Sequence, residues 1–233
     1  MRLVYFSSSI IPSTLANSVH VMRMANAFSE IGNSVNLIAV KPDLNIEKNP
    51  NEYYGINNNF KIEYCNRTGS TRIGSLIFGI RAALMAHNFF ADLMYGRCPH
   101  SLFFARLNGR PFIYEVHDIP GNFMRKLLEN FLFHSYNFRK LVVISDALKS
   151  AYLKLFPNLK FSDIIVAHDG ADVPDNVNHN SIGYFNIRSI PARKREIGYI
   201  GSLYEGKGAE IIPELAIIRP EYNFNIVGGS QKE

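Results

Sequence analysis

The feature that most constrains this chain is a rhythm: short segments rich in Val, Ile, Phe and Tyr alternate with longer segments of helical periodicity. Strand candidates in the first part are Arg2–Phe6, Ser34–Val40, Phe60–Cys65, Leu93–Tyr95, Phe112–Val116, Leu141–Ile144 and Ile164–Ala167. They are mostly apolar throughout, as parallel strands covered on both faces are. Helical stretches lie between them at Ser18–Ile31, Ile73–Phe89, Ser101–Leu107, Asn122–Phe138 and Asp146–Phe156. In the first of these, Val21, Met24, Ala25 and Phe28 recur at helical spacing, and Gly32 stands where a C-terminal cap belongs. Ser145 or Asp146 can cap the last. The alternation predicts an α/β fold: a Rossmann-like, doubly wound parallel sheet. Ligands of such sheets bind beyond the carboxyl ends of the strands, so the loops there carry the functional reading.

Two segments break the rhythm. Lys41–Asn59 is rich in Asn, Pro and charge and reads as a long surface loop. Asp172–Arg195 contains Pro174, Asn176, Asn178, Asn180, Pro191 and a basic run, Arg193–Lys194–Arg195, which is the composition of a linker. This sets a first domain at 1–173, a linker at 174–195 and a second domain from 196 to 233. The second restarts with strand Ile197–Ile200, helix Ala209–Ile218 and strand Asn223–Val227, then Gly228 and Gly229. One βαβ unit does not bury both faces of its sheet, so it is expected to be the incomplete start of a further domain. A length of 233 residues fits one whole domain and a remainder.

Charge and cysteine usage narrow the setting. Residues 1–173 hold 18 Lys and Arg against 13 Asp and Glu, whereas 174–233 hold 7 against 7. The first domain is therefore mildly basic, which suits an anionic substrate or an anionic membrane surface. Cys65 and Cys98 are far apart and have no CxxC or His-rich neighbourhood, so neither a disulfide framework nor a zinc site is expected. A reducing cytoplasm is the simpler compartment, with peripheral contact at the inner face of the membrane allowed. The N-terminus lacks the shape of a signal peptide. Ser75–Phe90 is interrupted by Arg81, His87 and Asn88 and is too short to span a bilayer.

Three strand-end loops can carry chemistry. Ser7–Asn17 is polar and small-residue rich and leads into the first helix, where Asn17 and Ser18 can meet an anion or sugar hydroxyls. It is not GxGxxG, and no acidic ribose-binding residue follows at the dinucleotide spacing. On these residues alone, a polar turn capping a helix is the better explanation. The second loop, Glu115–Gly121, places His117 and Asp118 directly after an apolar strand, with Pro120 and Gly121 shaping the turn. An imidazole there can donate to a sugar hydroxyl or steady charge during group transfer, although a lone histidine is more often structural. The third, Gly201–Gly208, combines glycines with Lys207 ahead of a helix. Gly201, Ser202, Lys207 and Gly208 are candidates for binding a diphosphate. It lacks the spacing of a Walker loop, so ATP hydrolysis is not indicated.

Taken in order, Asn17-Ser-Val-His-Val-Met-Arg-Met-Ala-Asn-Ala-Phe, Tyr114-Glu-Val-His-Asp, Val143-Ile-Ser-Asp, Ile165-Val-Ala-His-Asp-Gly-Ala-Asp and Ile197-Gly-Tyr-Ile-Gly-Ser-Leu-Tyr-Glu-Gly-Lys-Gly span nearly the whole chain. Together they resemble the family 4 retaining glycosyltransferases of the GT-B fold. The resemblance implies two Rossmann-like domains, an N-terminal one for the acceptor and a C-terminal one for a nucleotide sugar. His117 and Asp118 are then the catalytic candidates, His117 contacting the transferred sugar. Asn17, Ser18 and Gly121 would lie near acceptor or sugar, and Gly201, Ser202, Lys207 and Gly208 would grip the donor diphosphate. Asp169–Asp172 would close the first domain before the crossover.

By the same resemblance the enzyme is metal-free and needs no cofactor beyond its nucleotide-sugar donor. The acceptor would be a glycan or lipid-linked glycan in surface polysaccharide assembly. The chain departs from the family in two places. Ser202 stands where an arginine usually follows the glycine, and the family's pair of glutamates in the second domain has no counterpart before Glu233. Two other readings therefore stand beside it: a catalytically inactive remnant that binds acceptor or a partner chain, and a nucleotide-sugar epimerase of the same architecture. Nucleic acid is not expected as a partner, and the oligomeric state is left open.

Overall fold

The computed structural model describes residues 1–42, 49–57, 60–67, 72–170, 195–201, 203 and 205–229. The chain divides into two compact units, Met1–Gly170 and Ala171–Glu233. The expected boundary at 173 and all of the expected linker except Arg195 lie outside the described residues.

In the first unit, β1 (Arg2–Ile10), β2 (Ser34–Val40), β3 (Lys61–Cys65), β4 (Leu93–Gly96), β5 (Phe112–Val116), β6 (Phe138–Val143) and β7 (Ile164–Val166) form one sheet. The strand order is β3-β2-β1-β4-β5-β6-β7, and every neighbouring pair is parallel. Helices α1 (Ala16–Glu30), α2 (Pro50–Tyr53), α3 (Arg72–His87), α4 (Pro99–Ala105), α5 (Phe123–Phe133) and α6 (Asp146–Leu155) connect them. Strand order reverses between β1 and β4, which makes the carboxyl ends of these two strands the switch point where such sheets bind ligands.

Side-chain alternation along β1 sorts the core into two layers. Leu3 and Tyr5 join Val21, Met22 and Ala25 of α1 on one face. Val4 and Phe6 join Phe78 and Ala82 of α3, Leu102 of α4, Leu132 of α5 and Tyr152 of α6 on the other. Coverage is uneven at one edge: Ile113 and Val142 are only half-buried and Ile165 is exposed, so β5–β7 are not fully covered on both sides. The α1 cap is as expected, with Gly32 at φ +85° and its amide donating to the Ser29 carbonyl. At α6, Ser145 rather than Asp146 supplies the cap, accepting from the Leu148 amide at 3.2 Å.

Three local expectations are corrected. Ser7–Ser9 continue β1 to Ile10 instead of opening a loop, and Ile10 pairs with Val40 after a register shift. The segment 41–59 contains α2, capped by the Asn49 side chain, and it buries Tyr54 and Ile56 against the α1 face. Its residues 43–48, 58 and 59 lie outside the described set. Finally, the helical periodicity over Asn122–Phe138 stops at Phe133. Phe138 is taken by the sheet, where it pairs with Phe112, while the buried Asn137 side chain donates to the Arg106 carbonyl at 2.8 Å. Tertiary pairing outweighs helical periodicity over these residues.

In the second unit, β8 (Glu196–Ile200) pairs in parallel with β9 (Asn223–Val227). The helical stretch between them opens as a 3₁₀ turn over Ala209–Ile211 and continues as α7 (Ile212–Ile218). Among the described residues of this unit, Ile212 alone is buried. Most of the described residues of β8 and β9 are exposed. No described helix is long and apolar enough to cross a membrane.

Candidate functional site

At the end of β5, side chains leave the strand in opposite directions, and each direction opens a polar network. Glu115, 3% exposed, points to the α1 side. Its Oε2 accepts from the Tyr95 hydroxyl at 2.7 Å, and its Oε1 accepts from His20 Nε2 at 2.9 Å and from His117 Nε2. Arg97 Nε, just past the end of β4, stands 3.6 Å from the same Oε1. Burial by itself would raise the Glu115 carboxyl, but hydrogen bonds from His117, His20 and Tyr95 and the Arg97 charge outweigh it. They hold the group well below the usual carboxylate range. Burial and the neighbouring Glu115 charge push the Tyr95 phenol up, so it stays a donor.

The histidines are brought together from distant parts of the chain. His20 rides on α1, and His117 begins the loop after β5; the rings meet edge to face with centroids 4.8 Å apart. The other nitrogen of His20, Nδ1, lies 3.4 Å from Asp169 Oδ1. His20, Glu115 and His117 also form a group close enough to share a metal ion. Both Nε2 atoms, however, converge on one oxygen as donors, so the set closes on its own hydrogen bonds instead of leaving lone pairs aimed at a common point.

Tyr114 points the other way, into the layer packed by α3–α6. Its hydroxyl donates to buried Glu129 at 2.8 Å, and Glu129 also receives Arg125 Nε at 2.8 Å and the Tyr152 hydroxyl at 3.1 Å. Burial pushes the Glu129 carboxyl up, against the pull of Arg125 and Tyr114. This network anchors Asp118. Its carboxylate takes Arg125 Nη2 at 2.9 Å and its carbonyl takes the Tyr152 hydroxyl at 3.2 Å.

Of the residues singled out from sequence, His117 therefore reaches the Glu115 centre, and Asp118 is turned toward Arg125. Ser18 is buried, with its Oγ accepting from Ser13 Oγ at 2.9 Å and lying 2.7 Å from the Leu15 carbonyl, which ties down the loop before α1. Asn17 is exposed in the first turn of that helix. Gly121 is exposed, and no close approach demands a glycine there.

In the second unit, Gly206 and Gly208 both adopt φ +86°, as a turn that stacks amides toward one point requires. That point is already occupied: the Gly206 amide donates to Glu210 Oε1 at 3.2 Å. The amides of Glu210 itself, Gly206 and Gly208 hold this carboxyl below its ordinary range. The Lys207 carbonyl faces the Tyr199 hydroxyl at 3.4 Å, and the Gly201 amide donates to the Val227 carbonyl at 3.0 Å. Ser202 lies outside the described residues.

Glu115, His20, Tyr95 and Arg97 were not singled out from the sequence. One signal was available. Glu115 is a lone acid in an otherwise apolar strand, two residues before His117 and hence on the same side of the chain. His20, Tyr95 and Arg97 reach it only through the fold.

No protein-family model and no curated protein sequence matches the chain. Solved structures do. A glycosyltransferase from Rickettsia africae ESF-5 superposes with a TM-score of 0.67 at 15% identity, covering 100% of this chain and 61% of its own. Anabaena HepE in complex with UDP and glucose gives 0.64 at 16% identity, covering 98% and 61%. UDP-GlcNAc 2-epimerase from Neisseria meningitidis bound to UDP-GlcNAc gives 0.57 at 10% identity, covering 99% and 66%. The chain thus spans about 61% of the length of the first two. At these identities the likeness is one of fold: over the share of those proteins that it spans, the chain has the same Rossmann-like α/β fold.

Proposed function

We propose that this chain supplies the acceptor-side unit, and part of the donor-side unit, of an enzyme that moves a sugar from a nucleotide-sugar donor to a glycan or lipid-linked acceptor. The observation that carries the reading is the Glu115 centre, where a buried carboxylate fixes two histidines at the carboxyl edge of the sheet beside the switch point. A rigidly held imidazole at such an edge suits donation to a sugar hydroxyl, which positions the sugar and steadies charge in the transition state. Glu115 orients His117 and is itself too enclosed to meet substrate.

The reaction is read as retaining and metal-free, in surface polysaccharide assembly. The acceptor oxygen bonds to the anomeric carbon on the face that the diphosphate leaves, and its proton passes to a phosphate oxygen. Lys207 and the glycine-rich turn are the proposed diphosphate grip, with the Glu210 carboxylate as the group that the phosphate displaces. The basic character of 1–173 fits an acceptor held at the inner surface of a membrane.

The test is transfer of label from a nucleotide sugar to a glycolipid acceptor in the full-length enzyme. Activity unaffected by His117→Ala would overturn the role of the Glu115 centre. The epimerase likeness favours a second reading, told apart by one observation: an epimerase converts the donor sugar with no acceptor present.

A further inference from the structure

A cavity of about 580 Å³ opens within the first unit at the sheet's switch point. Ser8 at the end of β1 and Arg97 after β4 mark its place in the fold, Arg67 enters from the loop after β3, and Asp118 and Arg125 from the β5–α5 side. Among the described residues its lining contains Arg67, Arg97 and Arg125 against a single carboxylate, Asp118. Asp118 is already committed to Arg125 at 2.9 Å. The two remaining guanidiniums are under-satisfied. Arg67 Nε and Arg97 Nη1 are buried with no hydrogen-bond partner among the described residues. Among the described residues, Arg67 Nη2 has only the Ser75 hydroxyl, at 3.2 Å. Arg97 shares Glu115 with two histidines and a tyrosine. Buried guanidinium nitrogens without acceptors are costly, and an anion with several oxygens satisfies them. His100, also in the lining, adds no positive charge to the balance, since burial and then the Arg67 charge hold its imidazole below the ordinary value.

The rim has a different chemistry. On α3, Ile73, Leu76, Ile80 and Leu84 are exposed by 70%, 45%, 39% and 65%. Their spacing of three, four and four residues puts them in one stripe, while Phe78, Ala82, Ala83 and Ala86 of the same helix fill the core. On α5, Phe123, Leu127 and Phe131 form a second exposed stripe at spacings of four, beside exposed Met124. The α3 stripe begins in the cavity wall, which includes Ile73 and Leu76, and Met124, beside the α5 stripe, lines it too. Exposed apolar surface continuous with a basic cavity fits a ligand with an ionic head and an apolar tail better than a free ion or a sugar alone.

We propose that this cavity is a subsite for the phosphorylated head of an anionic lipid, with Arg67 and Arg97 on the phosphate and the α3 and α5 stripes along the apolar chain. The assignment rests on the acceptor-side reading of this unit and narrows its acceptor to a phosphate-bearing amphiphile. Charge complementarity chooses the occupant. A second copy of the chain would cover the stripes but would bring its own basic first unit against these arginines.

The experiment is calorimetric titration of the purified protein with dodecyl phosphate below its micelle concentration, with inorganic phosphate and dodecyl maltoside as comparisons. Dodecyl phosphate is expected to bind at least about tenfold more tightly than either. Arg67→Gln and Arg97→Gln should each weaken it by about tenfold, the loss expected for a charge-assisted hydrogen bond. Leu76→Gln should weaken dodecyl phosphate and leave inorganic phosphate unchanged. Arg97→Gln can disturb the Glu115 centre, but Arg67 lies outside that centre, and Arg67→Lys should restore part of the affinity. Equal binding of dodecyl phosphate and dodecyl maltoside would overturn the proposal, as would inorganic phosphate binding as tightly as dodecyl phosphate. Unchanged affinity in Arg67→Gln, or a dimer in sedimentation that Leu76→Gln dissolves, would do the same. No nucleotide sugar enters the titration, so failure here leaves sugar transfer standing, and an absence of transfer leaves the lipid subsite standing.

Discussion

His20 and His117 meet edge to face over one carboxylate oxygen of Glu115, with ring centroids 4.8 Å apart. Ninety-five residues separate His20 from Glu115, so the contact pins α1 to the end of β5. The arrangement makes Glu115 a structural anion whose value depends on its charge. Removing it leaves Arg97 and two histidines without their common acceptor.

The first prediction concerns pH. Because Glu115 titrates well below its unfolded value of about 4.3, folding gains from its ionised form. That contribution is complete above the unfolded value and is lost as pH falls toward the lower folded one. Glu115→Gln is expected to lower stability at pH 7 by about 3 kcal/mol, the cost of stripping one partner from a buried ionic cluster. The gap between variant and wild type should narrow below about pH 4. Urea midpoints at several pH values measure this, and a gap that stays constant down to pH 3 contradicts it.

The second prediction separates two neighbours that the sequence placed together. His117 belongs to the Glu115 centre, whereas Asp118 pairs with Arg125 and hangs its carbonyl on Tyr152. In the sugar-transfer assay, His117→Ala is expected to lower kcat by about 10²-fold, the scale of a lost positioned donor. Asp118→Asn keeps the backbone carbonyl that Tyr152 holds, so kcat should change by less than about tenfold. Equal losses in the two variants would return Asp118 to the catalytic group.

How far the sequence could reach is clear from such pairs. Strand–helix alternation placed every strand of the seven-stranded sheet, because long apolar runs and glycine stops are local signals. The Asn122–Phe138 helix was overrun because nothing local announces that Phe138 pairs with Phe112, twenty-six positions away. Ser7–Ser9 read as loop for a similar reason: a polar strand end that rejoins β2 only at Ile10, past a register shift, is invisible to an apolar pattern. The site divides in the same way. His117 follows its strand directly and could be read. Arg67 and Arg97 acquire meaning only when the switch point brings the ends of β3, β4 and β5 around one cavity.

A third prediction addresses the glycine-rich turn. The Gly206 amide already serves Glu210, so any phosphate must compete with a covalently tethered carboxylate. Glu210→Gln removes that charge and is expected to tighten UDP binding several-fold, whereas Lys207→Ala should weaken it by about tenfold. Calorimetry with UDP reads both. Opposite signs in the two variants mark the turn as the diphosphate site. If Glu210→Gln weakened binding as much as Lys207→Ala, the carboxylate would be supporting the loop rather than occupying the anion's place.

The last prediction turns on a glycine inside a helix. Replacing glycine by alanine in an ordinary helix interior stabilises by about 1 kcal/mol. At Gly79 of α3 the sign should reverse. A Cβ built there lies 2.8 Å from the backbone carbon and the Cβ of His100, and these atoms cannot swing aside as a long side chain can. Relief requires α4 to move away from α3, and overpacking of this kind costs about 1–3 kcal/mol, which exceeds the helical gain. Gly79→Ala is therefore expected to lower the urea midpoint. Gly121→Ala, which meets nothing within 4 Å, should leave it nearly unchanged. The consequence extends to binding, because Cys98 precedes α4, Pro99 and His100 open it, and all three line the arginine cavity together with Arg97. A shift of α4 should weaken dodecyl phosphate in Gly79→Ala even where the protein remains folded. If Gly79→Ala is more stable than wild type and binds dodecyl phosphate normally, α3 and α4 are not packed as closely as this contact requires.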